Sequence, residues 1–68
     1  MDSSLNDRLA WIQQSLDLER RAEEYRARAR AAERLGKPDC AKYADRAADD
    51  YILAAKRALR CAAAVDVA

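Results

Sequence analysis

The chain has 68 residues, 51% hydrophobic and 37% charged, with 13 basic and 12 acidic side chains, no histidine and a formal net charge of +1. Near-cancelling charge, seven basic against seven acidic residues up to Gly36 and six against five after it, leaves neither half as an electrostatic arm for nucleic acid. The absence of histidine removes the commonest acid/base group and metal ligand and every Ser-His or Cys-His nucleophile pair, so a non-enzymatic protein with no cofactor is expected.

Size adds a second constraint. A chain this short forms one domain and buries only about 60% of its unfolded surface. Alanine dominates here, leucine and isoleucine are few, and phenylalanine is absent. The private core is therefore thin, and a partner is expected.

The N-terminal stretch "MDSSLNDRLAWIQQ" begins acidic and is interrupted by polar residues, which is not the pattern of a secretory signal, so the cytoplasm is the expected location. "DSSLNDRL" carries a helix-start signal in which Ser4, or equally Ser3, caps the first turn beside acidic residues. From Leu5 to Leu35 there is no Gly or Pro and only Ile12 is β-branched, while Asp17 with Arg21 and Glu24 with Arg28 stand at i, i+4 in the favourable order. One helix over about residues 4–35 is predicted.

"RLGKPD" follows and holds the only glycine and the only proline of the chain. Gly36 suits the left-handed residue that ends a helix, and Pro38 suits the first turn of the next. The predicted turn is 36–37, followed by a second helix over about 38–64. Asp39 lies at its start, Lys56, Arg57 and Arg60 lie towards its end, and "VDVA" frays. The fold class is all-α: one domain, residues 1–68, forming an antiparallel two-helix hairpin.

Periodicity assigns the faces. Trp11, Ser15, Leu18, Ala22, Tyr25, Ala29 and Ala32 form a 4,3 stripe on the first helix, and Cys40, Ala44, Ala47, Tyr51, Ala54, Ala58, Cys61 and Val65 form one on the second. Facing one another across the turn, they pair Ala29 with Ala44, Ala22 with Tyr51 and Leu18 with Ala55. A further stripe, Leu5, Leu9, Ile12 and Leu16 with Ile52, Ala55 and Leu59, falls on one flank of the hairpin, mostly in the half remote from the turn. Two helices cannot cover it. The expected cover is a second copy, giving a homodimeric four-helix bundle with those seven residues at its interface, and the alternative cover is a different protein.

Other chemistry is weak. The longest unbroken apolar run, "CAAAV", is far below the roughly 20 residues that span a bilayer, so no membrane partner is expected. Cys40 and Cys61, on one helix and separated by many turns of it, are too distant for a bridge. Both read as small buried or half-buried structural thiols, with a reactive Cys40 as the lesser alternative. Asp45, Asp49 and Asp50 read as a solvated, ion-paired face beside Lys42 and Arg46, not as a cation site. In "RRAEEYRARARAAER" the arginines wrap the helix among glutamates, which argues against nucleic acid as a partner. Tyr25 and Tyr51 read as core. Tyr43, with Arg34, Lys37 and Leu53, forms the candidate partner-binding group, because Tyr and Arg are enriched at interface hot spots.

The whole layout, Ser4 through Leu35, the turn "LGKP", then Asp39 through Ala64, resembles the very short helical hairpins that bacteriophages and prophages encode to disable host proteins. In size and layout it is most similar to the phage anti-activators of a quorum-sensing transcription regulator. That resemblance implies a dimer that captures the ligand-binding domain of a host regulator and prevents DNA binding, with a second target in pilus assembly. It transfers no site residue. The expected function is an interaction protein that inhibits a host protein; the alternatives are a small DNA-associated regulator and a structural or assembly subunit.

Overall fold

The computed structural model describes residues 3–65. Among them are two helices and no strand: α1 (Ser3–Arg34) and α2 (Pro38–Ala64). They fold back on one another into a rod of 54 × 15 × 9 Å. The two-helix hairpin expected from sequence is the observed architecture. Of the "VDVA" segment expected to fray, Val65 follows α2 with extended backbone, and 66–68 lie outside the described residues.

The reversal is built by the backbone. Gly36 has φ +72, and the N–H of Gly36 donates to Glu33 O at 3.0 Å while that of Lys37 donates to Ala32 O at 2.9 Å. Those two bonds are the Schellman pattern, which satisfies carbonyls that the end of a helix leaves unpaired. Lys37, ahead of a proline, is forced out of the helical region (φ -117, ψ 74), yet its carbonyl accepts the first α2 bond from Ala41 N–H at 3.1 Å. No side chain caps α2; Pro38 in its first turn and Asp39 beside it serve instead.

A Cβ added at Gly36 would meet nothing within 4 Å. Gly36→Ala is therefore expected to destabilise by about 1–2 kcal/mol through backbone conformation alone, with Gly36→Asn costing less. Urea denaturation checks this ranking, and an alanine variant as stable as the native protein would contradict it.

Three local expectations are corrected. Ser3 and Ser4 both lie inside α1, and no acidic residue falls in its first turn. Asp17 stands 3.6 Å from Arg20 and accepts from Gln13 at 3.4 Å instead of pairing with Arg21. The Arg28 guanidinium lies over the Tyr25 ring, 4.8 Å from its centroid, instead of pairing with Glu24.

The fully buried residues of the seam between the helices are all small. On α1 the predicted stripe is the one that faces α2: Ser15, Ala22 and Ala29 are buried, and Trp11, Leu18, Tyr25 and Ala32 are half-buried. On α2 four positions of the stripe shift by one residue, Ala41, Ala48, Ala55 and Ala62 being buried in place of Cys40, Ala47, Ala54 and Cys61, while Ala44 and Ala58 are buried as expected. Cys40, expected to be buried or half-buried, is exposed; Cys61 is half-buried, as are Ala47 and Ala54. The cause lies in a doubled pattern. Cys40-Ala41, Ala47-Ala48, Ala54-Ala55 and Cys61-Ala62 recur at heptad spacing, so either member of each pair satisfies the period.

That shift also changes the expected interface. Ala55 is 2% exposed within the single hairpin. It belongs to the seam and is removed from the flank that a second copy would cover.

Ser15, the one buried polar residue among those described, donates its hydroxyl to Ile12 O at 2.7 Å, so its burial leaves no bond unmade. Farther along, Tyr25 and Tyr51 stack with centroids 5.4 Å apart and planes at 28°. The rings meet one turn from the expected Ala22–Tyr51 pairing. Helical side chains lean towards their own N-terminus, so on antiparallel helices two long ones converge from opposite directions.

Candidate interaction surfaces

The hairpin carries apolar surfaces on opposite sides of the seam. On α1, Ile12 and Leu16 come one residue after seam positions Trp11 and Ser15; on α2, Ile52 and Leu59 come one residue after Tyr51 and Ala58. One residue is about 100° of rotation. Successive residues of antiparallel helices turn in opposite senses when viewed from one end, so both advances lead to the same flank.

An ion pair fixes that geometry independently. Arg26, two heptads beyond Ile12, reaches across to Asp49 at 2.9 Å and to Asp45 at 3.8 Å, and Asp45 lies one heptad before Ile52 and two before Leu59. Repeating the crossing along the rod brings Ile12 and Leu16 beside Leu59. This flank is therefore polar near the turn, with Arg26, Asp45 and Asp49, and apolar in the remote half.

The remote half is open. Leu5, Leu9, Leu16 and Leu59 are exposed, Leu9 by 54%, while Ile12 and Ile52 are half-buried. With 32 residues against 27, α1 is the longer helix, so its first turn, with Leu5, runs past the end of α2. Among the described residues nothing covers this surface.

On the other side, α2 presents the residues one place before its seam, Ala47 and Ala54. With Leu18, Tyr25, Tyr43, Asp50 and Tyr51 they line an open groove of about 370 Å³. Tyr43 stands 75% exposed on its edge and also borders a second depression, of about 480 Å³, lined by Lys42 and Arg46.

Of the sequence-predicted partner-binding residues, Tyr43 alone is brought to a shaped surface. Arg34 is in the last turn of α1, Lys37 is in the reversal and Leu53 is half-exposed on the back of α2, and none of them lines either depression. Sequence reading misses the groove because Tyr25 and Tyr51 read as core. The available signal is the run Tyr43, Ala47, Asp50/Tyr51 and Ala54, spaced along one side of α2.

The arginines of α1 do not act together. Arg20 lies beside Asp17, Arg26 beside Asp45 and Asp49, and Arg28 on Tyr25. Because the Arg26 pairs are exposed, Arg26→Ala is expected to cost under about 1 kcal/mol in thermal unfolding; a loss of several would show that this crossing organises the seam. Both cysteines are free, and among the described residues no three His, Cys, Asp or Glu side chains assemble as metal ligands. Among those residues, too, no helix is long and apolar enough to cross a membrane. No protein-family model, curated protein or solved structure matches the chain.

Proposed function

We propose that this chain is a non-enzymatic protein-interaction module: a cytoplasmic homodimer of hairpins, closed into a four-helix bundle through Leu5, Leu9, Ile12, Leu16, Ile52 and Leu59, that binds and inhibits another protein. The observation that carries the reading is the open leucine-rich flank. Full burial of one such side chain stabilises by roughly 1.5–3 kcal/mol. Six of them left about half-wet forfeit several kcal/mol, comparable with the entire stability of a small domain.

The class of target, a host regulator such as a quorum-sensing transcription regulator, comes from the likeness in size and layout to phage-encoded hairpin inhibitors. The DNA-associated alternative has less support, because the arginines of α1 point to different neighbours and form no continuous stripe.

Light scattering across a dilution series tests the reading. The chain mass is 7.6 kDa, and a particle of twice that mass is expected. A folded particle of single-chain mass at every concentration would refute the dimer, and open-ended higher oligomers would favour an assembly subunit. Retention of duplex DNA in a salt-dependent manner would favour the DNA-associated class.

A further inference from the structure

We infer that the two copies join flank to flank with their reversals at the same end, so that α1 of each lies on α2 of the other. This rests on the homodimer reading and specifies its arrangement. The occupant of the flank is a second copy because, in this one orientation, the flank is complementary to itself.

The crossing of Arg26 to Asp49 at 2.9 Å sets the levels along the rod. Moving away from it by equal numbers of residues on both helices brings Leu16 level with Leu59, Glu19 with Lys56, Glu23 with Ile52 and Arg30 with Asp45. A two-fold axis along the rod keeps every level and exchanges the helices. Each of these residues then meets its level mate on the other copy: leucine on leucine, Glu19 on Lys56, Arg26 on Asp49 and Arg30 on Asp45. Glu23 against Ile52 is the one unmatched level. Glu19, Arg30 and Lys56 are exposed and, among the described residues, enter no ion pair within the hairpin, so their charges are free to select the orientation.

The opposite orientations fit less well. Laid antiparallel over the full rod, α1 rests on α1 and sets Leu5, Leu9, Ile12 and Leu16 against Glu19, Glu23, Arg26 and Arg30 of the other copy, which holds charges against an apolar stripe. Slid apart until the leucines overlap, the antiparallel pair recovers that contact but carries Ile52 beyond the first turn of the other copy and leaves Glu19, Arg30 and Lys56 without partners. In the same-end arrangement Leu5, which runs past the end of α2, has its own counterpart as its nearest cover.

A pulsed electron resonance distance measurement tests the orientation on the full chain. A spin label on Cys40, which is exposed, in a Cys61→Ser background marks the end that carries the reversal. With neighbouring helix axes about 8–10 Å apart, the same-end dimer places the two labels roughly 20–35 Å from one another. At about 1.5 Å of rise per residue, either antiparallel arrangement separates them by about 50 Å or more.

A charge-swap mixture gives an independent reading. Glu19→Lys or Lys56→Glu alone sets like charges together at two places in the dimer and should weaken it about tenfold. Both positions are exposed, so helicity by circular dichroism should be unchanged. An equimolar mixture of the two variants should recover native affinity, because the mixed dimer regains opposite charges between copies at both places while the two positions within each chain stay alike. Labels about 50 Å or more apart in a dimer, single variants of native affinity, or no recovery in the mixture would each overturn the orientation and leave the dimer reading standing. A folded monomer at every concentration would overturn both.

Discussion

Leu9→Asp and Ile12→Asp are each expected to convert the proposed dimer to monomer, raising its dissociation constant by at least about 100-fold. An ionised carboxylate in an apolar interface without a partner costs several kcal/mol, and each increment of about 1.4 kcal/mol is a factor of ten. The two substitutions differ usefully. Ile12 is half-buried in the single hairpin, so Ile12→Asp also weakens the fold and its monomer will lose helicity. Leu9 is mostly exposed there, so Leu9→Asp should leave a hairpin that melts earlier only because it has lost its second copy. Sedimentation equilibrium and circular dichroism on both variants separate association from folding. Dimer mass and native helicity retained in both would show that this flank is not the interface.

Ala48→Leu is expected to be the most damaging change within the hairpin itself. Ala48 is 0% exposed and faces α1 within a seam whose fully buried residues are alanines and one serine. The added carbons have nowhere to go unless the helices separate, and separation wets the neighbouring alanines along the rod. Overpacking of a filled core costs typically about 1–3 kcal/mol, a large share of the stability available to a chain of this length. Ala27→Leu, exposed on the back of α1, is the matched control and should change little. Equal urea midpoints for the two variants would contradict the assigned seam.

Much of the fold is legible in the sequence because its punctuation is sparse. Gly36 and Pro38 mark the single reversal, and uninterrupted helix formers on either side leave no other place to turn. The α1 stripe is also readable. Ser15, Ala22 and Ala29 are each flanked by a charged, polar or larger residue on both sides, so the phase is fixed by contrast. The α2 phase is not, because alanine and cysteine occupy adjacent positions in each heptad and the spacing alone chooses neither.

That ambiguity propagates to both candidate surfaces. Placing Cys40, Ala47 and Ala54 in the seam assigns Ala55 to the leucine flank and conceals the floor of the groove. The tyrosine stack escapes for a different reason: backbone register puts Ala22 opposite Tyr51, and only the lean of two long side chains brings the rings together. Leu5, Leu9, Leu16 and Leu59 are identifiable in advance as surplus to two helices, since each is a large apolar residue off the seam.

Among the described residues, the covalent tie between the helices is the short link at Leu35–Lys37, and the opposite end of the rod has none. Fraying is therefore expected to begin at that untied end and to travel towards the reversal, with amide exchange fastest there and slowest at mid-rod. The leucine flank occupies that same loose end, so a second copy would grip the hairpin where it is least tethered. Ordering of the ends and pairing of the copies would then be one coupled event, and the thermal midpoint would rise with protein concentration.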